Sequence, residues 1–170
     1  AQYVFAGRHS SLMIDVDGSL WGWGCNEDGI LGTGSGVAKQ QVPIKIDTGG
    51  QRIRHAAGGW KHFLAVTEDG ELLCWGNNDY GQLGDGTQKK RRTPSLTTLP
   101  GDARAVIVTA GSYHSLVLTN TGEVLAAGMG YTKAGVQFIQ VIRTGVTMVV
   151  SGTSHNLALT KTGTVLAWGA

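Results

Sequence analysis

Three glycines at one fixed spacing recur four times along the chain. The triplets are Gly7, Gly18 and Gly24; Gly59, Gly70 and Gly76; Gly111, Gly122 and Gly128; and Gly152, Gly163 and Gly169. A step repeated so strictly constrains the fold, because whatever one copy forms the others must form as well. Gly18, Gly70 and Gly122 are evenly spaced, whereas Gly163 follows sooner, so the third connection between copies is the shortest.

The residues inside each step read as strands. Leu12 and Ile14, Leu64 and Val66, Leu116 and Leu118, and Leu157 and Leu159 are paired at a spacing of two, which places both side chains on one strand face. Met13, Ala65, Val117 and Ala158 lie between them, so the other face is apolar too, as in a strand buried on both sides. The turn follows at Asp17-Gly18, Asp69-Gly70, Thr121-Gly122 and Thr162-Gly163, where glycine supplies a hairpin's positive φ. Returning strands are predicted at 20–23, 72–75, 124–127 and 165–168, and incoming strands at 3–6, 53–57, 106–110 and 146–150. A fourth strand is expected at 42–46, 93–97 and 138–142. Three- to four-stranded antiparallel units recurring at about 40–50 residues point to an all-β chain of β-propeller architecture, with about four blade units. The units run approximately over 1–46, 47–97, 98–142 and 143–170 of a single propeller.

Composition agrees. Glycine accounts for 27 of 170 residues, well above the usual share of about 7%, while 3 prolines and 41% hydrophobic residues exclude a disordered low-complexity chain. A formal charge of +2 is too small to imply a nucleic-acid partner from electrostatics. Cys25 and Cys74 lack CxxC spacing and occupy non-equivalent repeat positions, so they read as free thiols of an intracellular protein, cytoplasmic or nuclear. No apolar run approaches the ~18 residues of a membrane helix, and the stretch 1–9 lacks the order of a signal peptide. The first residue is not Met, which reads as a segment of a longer chain.

One run carries a recognisable pattern: Gly59, His62, Leu64-Ala65-Val66-Thr67, Asp69-Gly70, Trp75-Gly76-Asn77 and Gly81-Gln82-Leu83-Gly84. It resembles the repeat of the regulator of chromosome condensation family. The first copy matches through Gly24-Cys25-Asn26 and Gly29-Ile30-Leu31-Gly32, and the last two through their glycine steps. The resemblance spans essentially the whole chain and implies blades of a seven-bladed propeller, of which four units would be an incomplete ring. Self-association or the remainder of a longer chain would then complete it. Three positions depart from the pattern. Ser10 stands where His is expected, Ala127 where Trp is expected, and the Asn and Gly-Gln-Leu-Gly tract is missing after Gly128.

No residue set implies catalysis, a cofactor or a metal. His62, His114 and His155 recur at one repeat position, which indicates a structural hydrogen bond rather than a reactive group. The glycine tracts lack the Walker spacing and the dinucleotide fingerprint. Recognition is expected on the loops instead. In an antiparallel blade the loop between strands one and two and that between strands three and four share one end. After each opening glycine stand Arg8-His9, Trp60-Lys61, Ser112-Tyr113 and Thr153-Ser154, which differ in size and charge although their neighbours recur. Arg8, His9, Trp60, Lys61, Asp79, Tyr80 and Tyr113 are therefore the expected partner-binding residues, Trp, Tyr and Arg being the types enriched at binding hot spots. The run Lys89-Lys90-Arg91-Arg92 is expected in a strand three to four connection near the same face, able to meet phosphate or an acidic protein surface. The reading is a non-catalytic module that binds a protein partner. The resemblance adds two alternatives, nucleotide exchange on a Ran-like small GTPase with chromatin association, and propeller-type inhibition of an enzyme.

Overall fold

The computed structural model describes residues 1–131 and 136–170. Each glycine step folds into one hairpin: β2 (Ser10–Ile14) with β3 (Leu20–Cys25), β6 (His62–Thr67) with β7 (Leu72–Gly76), β10 (His114–Thr119) with β11 (Val124–Gly128), and β14 (His155–Thr160) with β15 (Val165–Gly169). The register is the same in all four, with Ser10, His62, His114 and His155 opposite the third glycine of their copy. At the hairpin turns Gly18, Gly70, Gly122 and Gly163 have φ of 75, 79, 80 and 84°, a region that side chains disfavour.

Incoming strands β1 (Tyr3–Ala6), β5 (Ile53–Gly58), β9 (Ala105–Ala110) and β13 (Val146–Ser151) pair antiparallel on one side of each hairpin. On the other side lie β4 (Lys39–Lys45), β8 (Arg91–Thr97) and β12 (Ile139–Ile142), giving three four-stranded sheets and a fourth of three strands. These outer strands depart most from expectation at their edges. Arg91 and Arg92 belong to β8, and Phe138 precedes β12 and turns into the core at 3% exposure. An outer strand has one solvated face, so the apolar pattern locates it weakly.

The sheets pack face to face as propeller blades. Leu12, Ile14 and Leu20 of the first sheet meet Phe63, Leu73 and Trp75 of the second. Leu64, Val66 and Leu72 of the second meet Val108, Val117 and Leu125 of the third. Leu116, Leu118 and Val124 of the third meet Val146, Val149 and Ala158 of the fourth. The innermost strands β1, β5, β9 and β13 line a common open concavity, where Val108 N donates to His55 Nδ1 at 3.3 Å.

Two histidines trapped between sheets reach side chains of the neighbouring sheet through Nε2. His62 Nε2 lies 2.9 Å from Ser115 Oγ, which itself donates to the Gln82 carbonyl, so His62 carries the proton. His114 Nε2 lies 2.8 Å from Asn156 Oδ1 in the same way. Each histidine thus reaches the residue that follows the histidine of the next copy. The first copy has Ser10, and the residue it would have reached is the apolar Phe63; Ser10 Oγ donates within its own sheet to the Cys25 carbonyl at 2.7 Å. For His62 and His114 the structural hydrogen bond takes the form of a side chain to side chain contact between blades. Each ring also packs flat over its opening glycine, and a Cβ at Gly59, Gly111 or Gly152 would collide with His62, His114 or His155.

The outer faces of the first and fourth sheets remain open. On the fourth, Leu157, Leu159 and Val165, the counterparts of the buried Leu64, Val66 and Leu72, are 38, 37 and 62% exposed, and His155 is exposed with them. A contiguous apolar sheet face of this kind drives association. The 170-residue chain alone is expected to form concentration-dependent oligomers in multi-angle light scattering, and replacing Leu157 and Val165 by Lys should return it to monomer.

Burial lowers the pKa of His62 to about 3, and burial lowers that of His114 as well. The unfolded histidine titrates near 6.5, so between that pH and about 3 the unfolded chain gains a proton that folded His62 refuses. Stability present at neutral pH is therefore lost on acidification, by up to about 1.4 kcal/mol per pH unit for this residue. Urea unfolding between about pH 7 and pH 5 should show this slope. His62→Gln, which keeps an N–H for Ser115, should flatten it, and an unchanged slope would assign the acid sensitivity elsewhere.

Candidate protein-interaction face

The first loops of the four blades are joined to one another through the backbone. Arg8 N donates to the Gly59 carbonyl, Trp60 N to Ser112 and Ser112 N to Thr153, at 3.3, 3.3 and 2.9 Å. Because each bond spans two sheets, the side chains that follow the opening glycines are held in a row.

That row brings together four residues singled out by the sequence. The Arg8 guanidinium carbon stands 4.2 Å from the centre of the Trp60 ring. Trp60 meets Tyr113 edge to face at 5.4 Å, and Tyr113 meets Tyr80 at 4.9 Å. Tyr80 is 40% exposed, Trp60 and Tyr113 are half-buried, and Arg8 is exposed, so the row is a ridge with its rings available to solvent. Tyr80 reaches it from the β7–β8 connection, across the boundary between the second and third sheets.

The β7–β8 connection is shaped by its own amides. Asn78 Oδ1 accepts from Leu83 N at 3.0 Å, and Asn78 Nδ2 donates to the Thr87 and Lys89 carbonyls. Asn26 does the same for Leu31 N and the Val37 carbonyl in the first copy. The buried leucines Leu31 and Leu83 anchor both tracts, and the carbonyl just before each leucine accepts from the next sheet. Ile30 receives Trp75 Nε1 at 2.8 Å, and Gln82 receives Ser115 Oγ at 2.7 Å. The glycine tracts are scaffold. Asp79 carries an exposed carboxylate steadied by Asn77 Nδ2 at 2.9 Å.

Beside the ridge lies a charge cluster that the sequence did not foretell. Asp28, in a left-handed conformation at φ 59°, accepts from Lys90 Nζ at 3.0 Å and lies 3.5 Å from Lys61 Nζ. Burial pushes its carboxyl up, but the Lys90 bond and the charges of Lys90 and Lys61 outweigh burial and leave it below the ordinary range.

The basic run does not act as one patch. Lys90 is held by Asp28, Arg91 Nε lies 2.8 Å from the buried Asp85 Oδ2, and the Arg92 side chain covers Gly29. Lys89 and Arg92 are exposed and have no ion pair among the described residues. Strand alternation sends successive side chains of β8 to opposite faces, which separates neighbours in sequence. His9 is exposed at the margin, beside a groove shared with Cys25, Glu27 and Lys61.

With this fold and loop face described, known proteins can be set beside the chain. The model of the regulator of chromosome condensation (RCC1) repeat matches residues 17–66 and 69–118, and a second model of the same repeat matches 53–82 and 146–170. The chain belongs to the RCC1-repeat family. The matched unit at 17–66 begins before β3 of one sheet and ends within β6 of the next, so the sequence repeat straddles two blades. The ultraviolet-B receptor UVR8 of Arabidopsis thaliana is 32% identical over 128 residues, covering 75% of this chain and 29% of the receptor. The human E3 ubiquitin-protein ligase HERC2 is 35% identical over 116 residues, covering 68% of this chain and 2% of the ligase. Among solved structures, human WBSCR16 superposes with a TM-score of 0.89 at 24% identity, over 98% of this chain and 47% of that one. Yeast RCC1 (Prp20) in its complex with Kap60 gives 0.84 at 24%, over 98% and 42%. A further structure of Prp20p from Saccharomyces cerevisiae, reported with its binding to Gsp1p and histones, gives 0.83 at 24% over 98% and 44%. The chain thus spans under half the length of each of these relatives.

Proposed function

We propose that this segment is a non-catalytic protein-binding part of a propeller, and that it engages a protein partner through the ridge of Arg8, Trp60, Tyr113 and Tyr80. The observation that carries the reading is the ridge itself, in which side chains from three sheets stack in contact while keeping exposed surface. A fold has no need of large aromatic groups there, because the adjoining glycines and histidines already satisfy it. Such groups supply large contact area at low entropic cost, which suits an interface centre. Lys61, Lys90 and Asp28 would form its charged margin, with Arg8, His9, Asp79 and Lys89 free to set orientation and partner choice.

The scaffold also speaks against chemistry at this face. His62 and His114 are engaged in bonds between sheets, and burial pushes the Cys74 thiol up to about 12. Free Cys25 and Cys74 suit a reducing, intracellular compartment. Among the described residues no helix is long and apolar enough to cross a membrane. Prp20p supplies one candidate class of partner, small GTPases, by its reported binding to Gsp1p.

The test uses the chain as bait with purified Ran-like GTPases and cell extracts, comparing wild type with Trp60→Ala and Tyr80→Ala. Truncating a central ring should weaken partner recovery about 30-fold, the equivalent of about 2 kcal/mol, while the thermal midpoint stays within a few degrees. Recovery unaffected by either substitution removes the ridge from the interface. Accelerated release of a fluorescent guanine nucleotide from such a GTPase would replace passive binding with exchange.

A further inference from the structure

The outer strands β4, β8 and β12 occupy the same place in their sheets, yet the edges they present differ. Ile44 pairs with Gly22, Ser95 with Cys74 and Ile139 with Ala126, three partners that stand at one repeat position. The residues just before them are Pro43, Pro94 and Phe138. Proline has no N–H to offer a further strand, and natural sheets guard their free edges with proline and with charged side chains. β4 carries Pro43 together with Lys39 and Lys45, and β8 carries Pro94 together with Arg91 and Arg92. β12 reads Ile-Gln-Val-Ile and has neither device. A shift of register occurs in all three strands and does not distinguish them.

Phe138 serves another end. It is 3% exposed and its ring packs on Gly84 of the second unit. The chain just before β12 is clamped to the same tract, where Gly86 N donates to the Val136 carbonyl at 3.0 Å and Asp85 pairs with Gln137. The unguarded edge begins beyond that clamp. Among the described residues β11 is the only strand paired with β12, and no loop backbone group bonds to residues 139–142. Ile139 is 41% exposed, and Gln140 is exposed beside it. The strand belongs to the third sheet, so its edge is set apart from the open outer faces of the first and fourth.

We propose that the free edge of β12 accepts a strand from a partner protein, an extended segment with β-branched residues at alternate positions and an acidic residue at its N-terminal end. A row of main-chain N–H and C=O groups is matched group for group by another main chain, which sets the class of occupant. Strands pair antiparallel throughout this molecule, and antiparallel addition brings the N-terminal end of the incoming segment beside Arg143. Arg143 is exposed and has no ion pair among the described residues, so a carboxylate there completes the match. Ile139 and Val141 favour β-branched neighbours across the pair. Only four residues of β12 are on offer, so the contact is short and the affinity modest. This surface shares no residue with the aromatic ridge and does not rest on it.

The test uses the full chain carrying Leu157→Lys and Val165→Lys, so that association through the fourth sheet does not intervene. The probe is the peptide amide acetyl-Glu-Thr-Val-Thr-Val-Thr, followed by amide NMR shifts and hydrogen exchange. Saturable shifts and slowed exchange are expected at Ile139–Ile142 and not at Val42 or Ile44 of the guarded strand β4. The same peptide N-methylated at every residue keeps its side chains, loses its donors and should not bind. Replacing its Glu by Lys should weaken binding about threefold, and Arg143→Gln should erase that difference. No saturable shift at 139–142, equal shifts at Val42 and Ile44, or binding of the methylated peptide would overturn the proposal. Equal affinity for the Glu and Lys peptides would overturn the part given to Arg143. Protection of 139–142 in the free chain that falls on dilution would make a second copy the occupant and overturn the assignment to a partner.

Discussion

Burial of both faces of a sheet is the constraint from which the rest of this molecule follows. A strand such as β6, buried along its whole length, leaves its side-chain polar groups no water to turn to. Such a group between sheets is costly unless it is paired or removed. The chain uses both solutions. His62 and His114 are matched by Ser115 and Asn156, whereas Ser10 is matched by Phe63, so the polar donor and its acceptor are present together or absent together. The same logic applies to the indoles. Trp75 and Trp168 each find an oxygen from the preceding unit, and where Ala127 replaces the indole, Ser115 uses the vacant carbonyl.

These bonds make the loop face a continuation of the core. The first loops are linked sheet to sheet through backbone bonds, and the connections bearing Asn26 and Asn78 are closed by side-chain amides from below. Residues on such a framework are presented at fixed spacing with little entropy left to lose on binding. The aromatic ridge profits from that rigidity.

Much of this was legible from residue order. The glycine steps gave the four hairpins, the alternation of Leu and Val gave two-sided burial, and the recurrence of the histidines pointed to the structural bonds that His62 and His114 make. The row of variable positions after the opening glycine named Arg8, Trp60 and Tyr113 before their contact was visible. Less was legible where side chains answer to distant partners. Lys90, Arg91 and Arg92 read as one basic patch, yet Asp28, Asp85 and Gly29 draw them to three places. The shortened third connection was visible in the glycine spacing, and residues 132–135 within it lie outside the described residues.

Sequence alone determined the unit: a hairpin with its turn, its register and its two apolar faces, because those depend on contacts within a single glycine step. Only the tertiary structure decided what happens at the junctions. The Trp60, Tyr113 and Tyr80 contact, the ion pairs of Asp28 and the bonds of Asn156 and Trp168 to the Tyr131 hydroxyl each join residues from different sheets. Stacking geometry, not residue order, sets those distances, and a repeat read copy by copy carries no record of them.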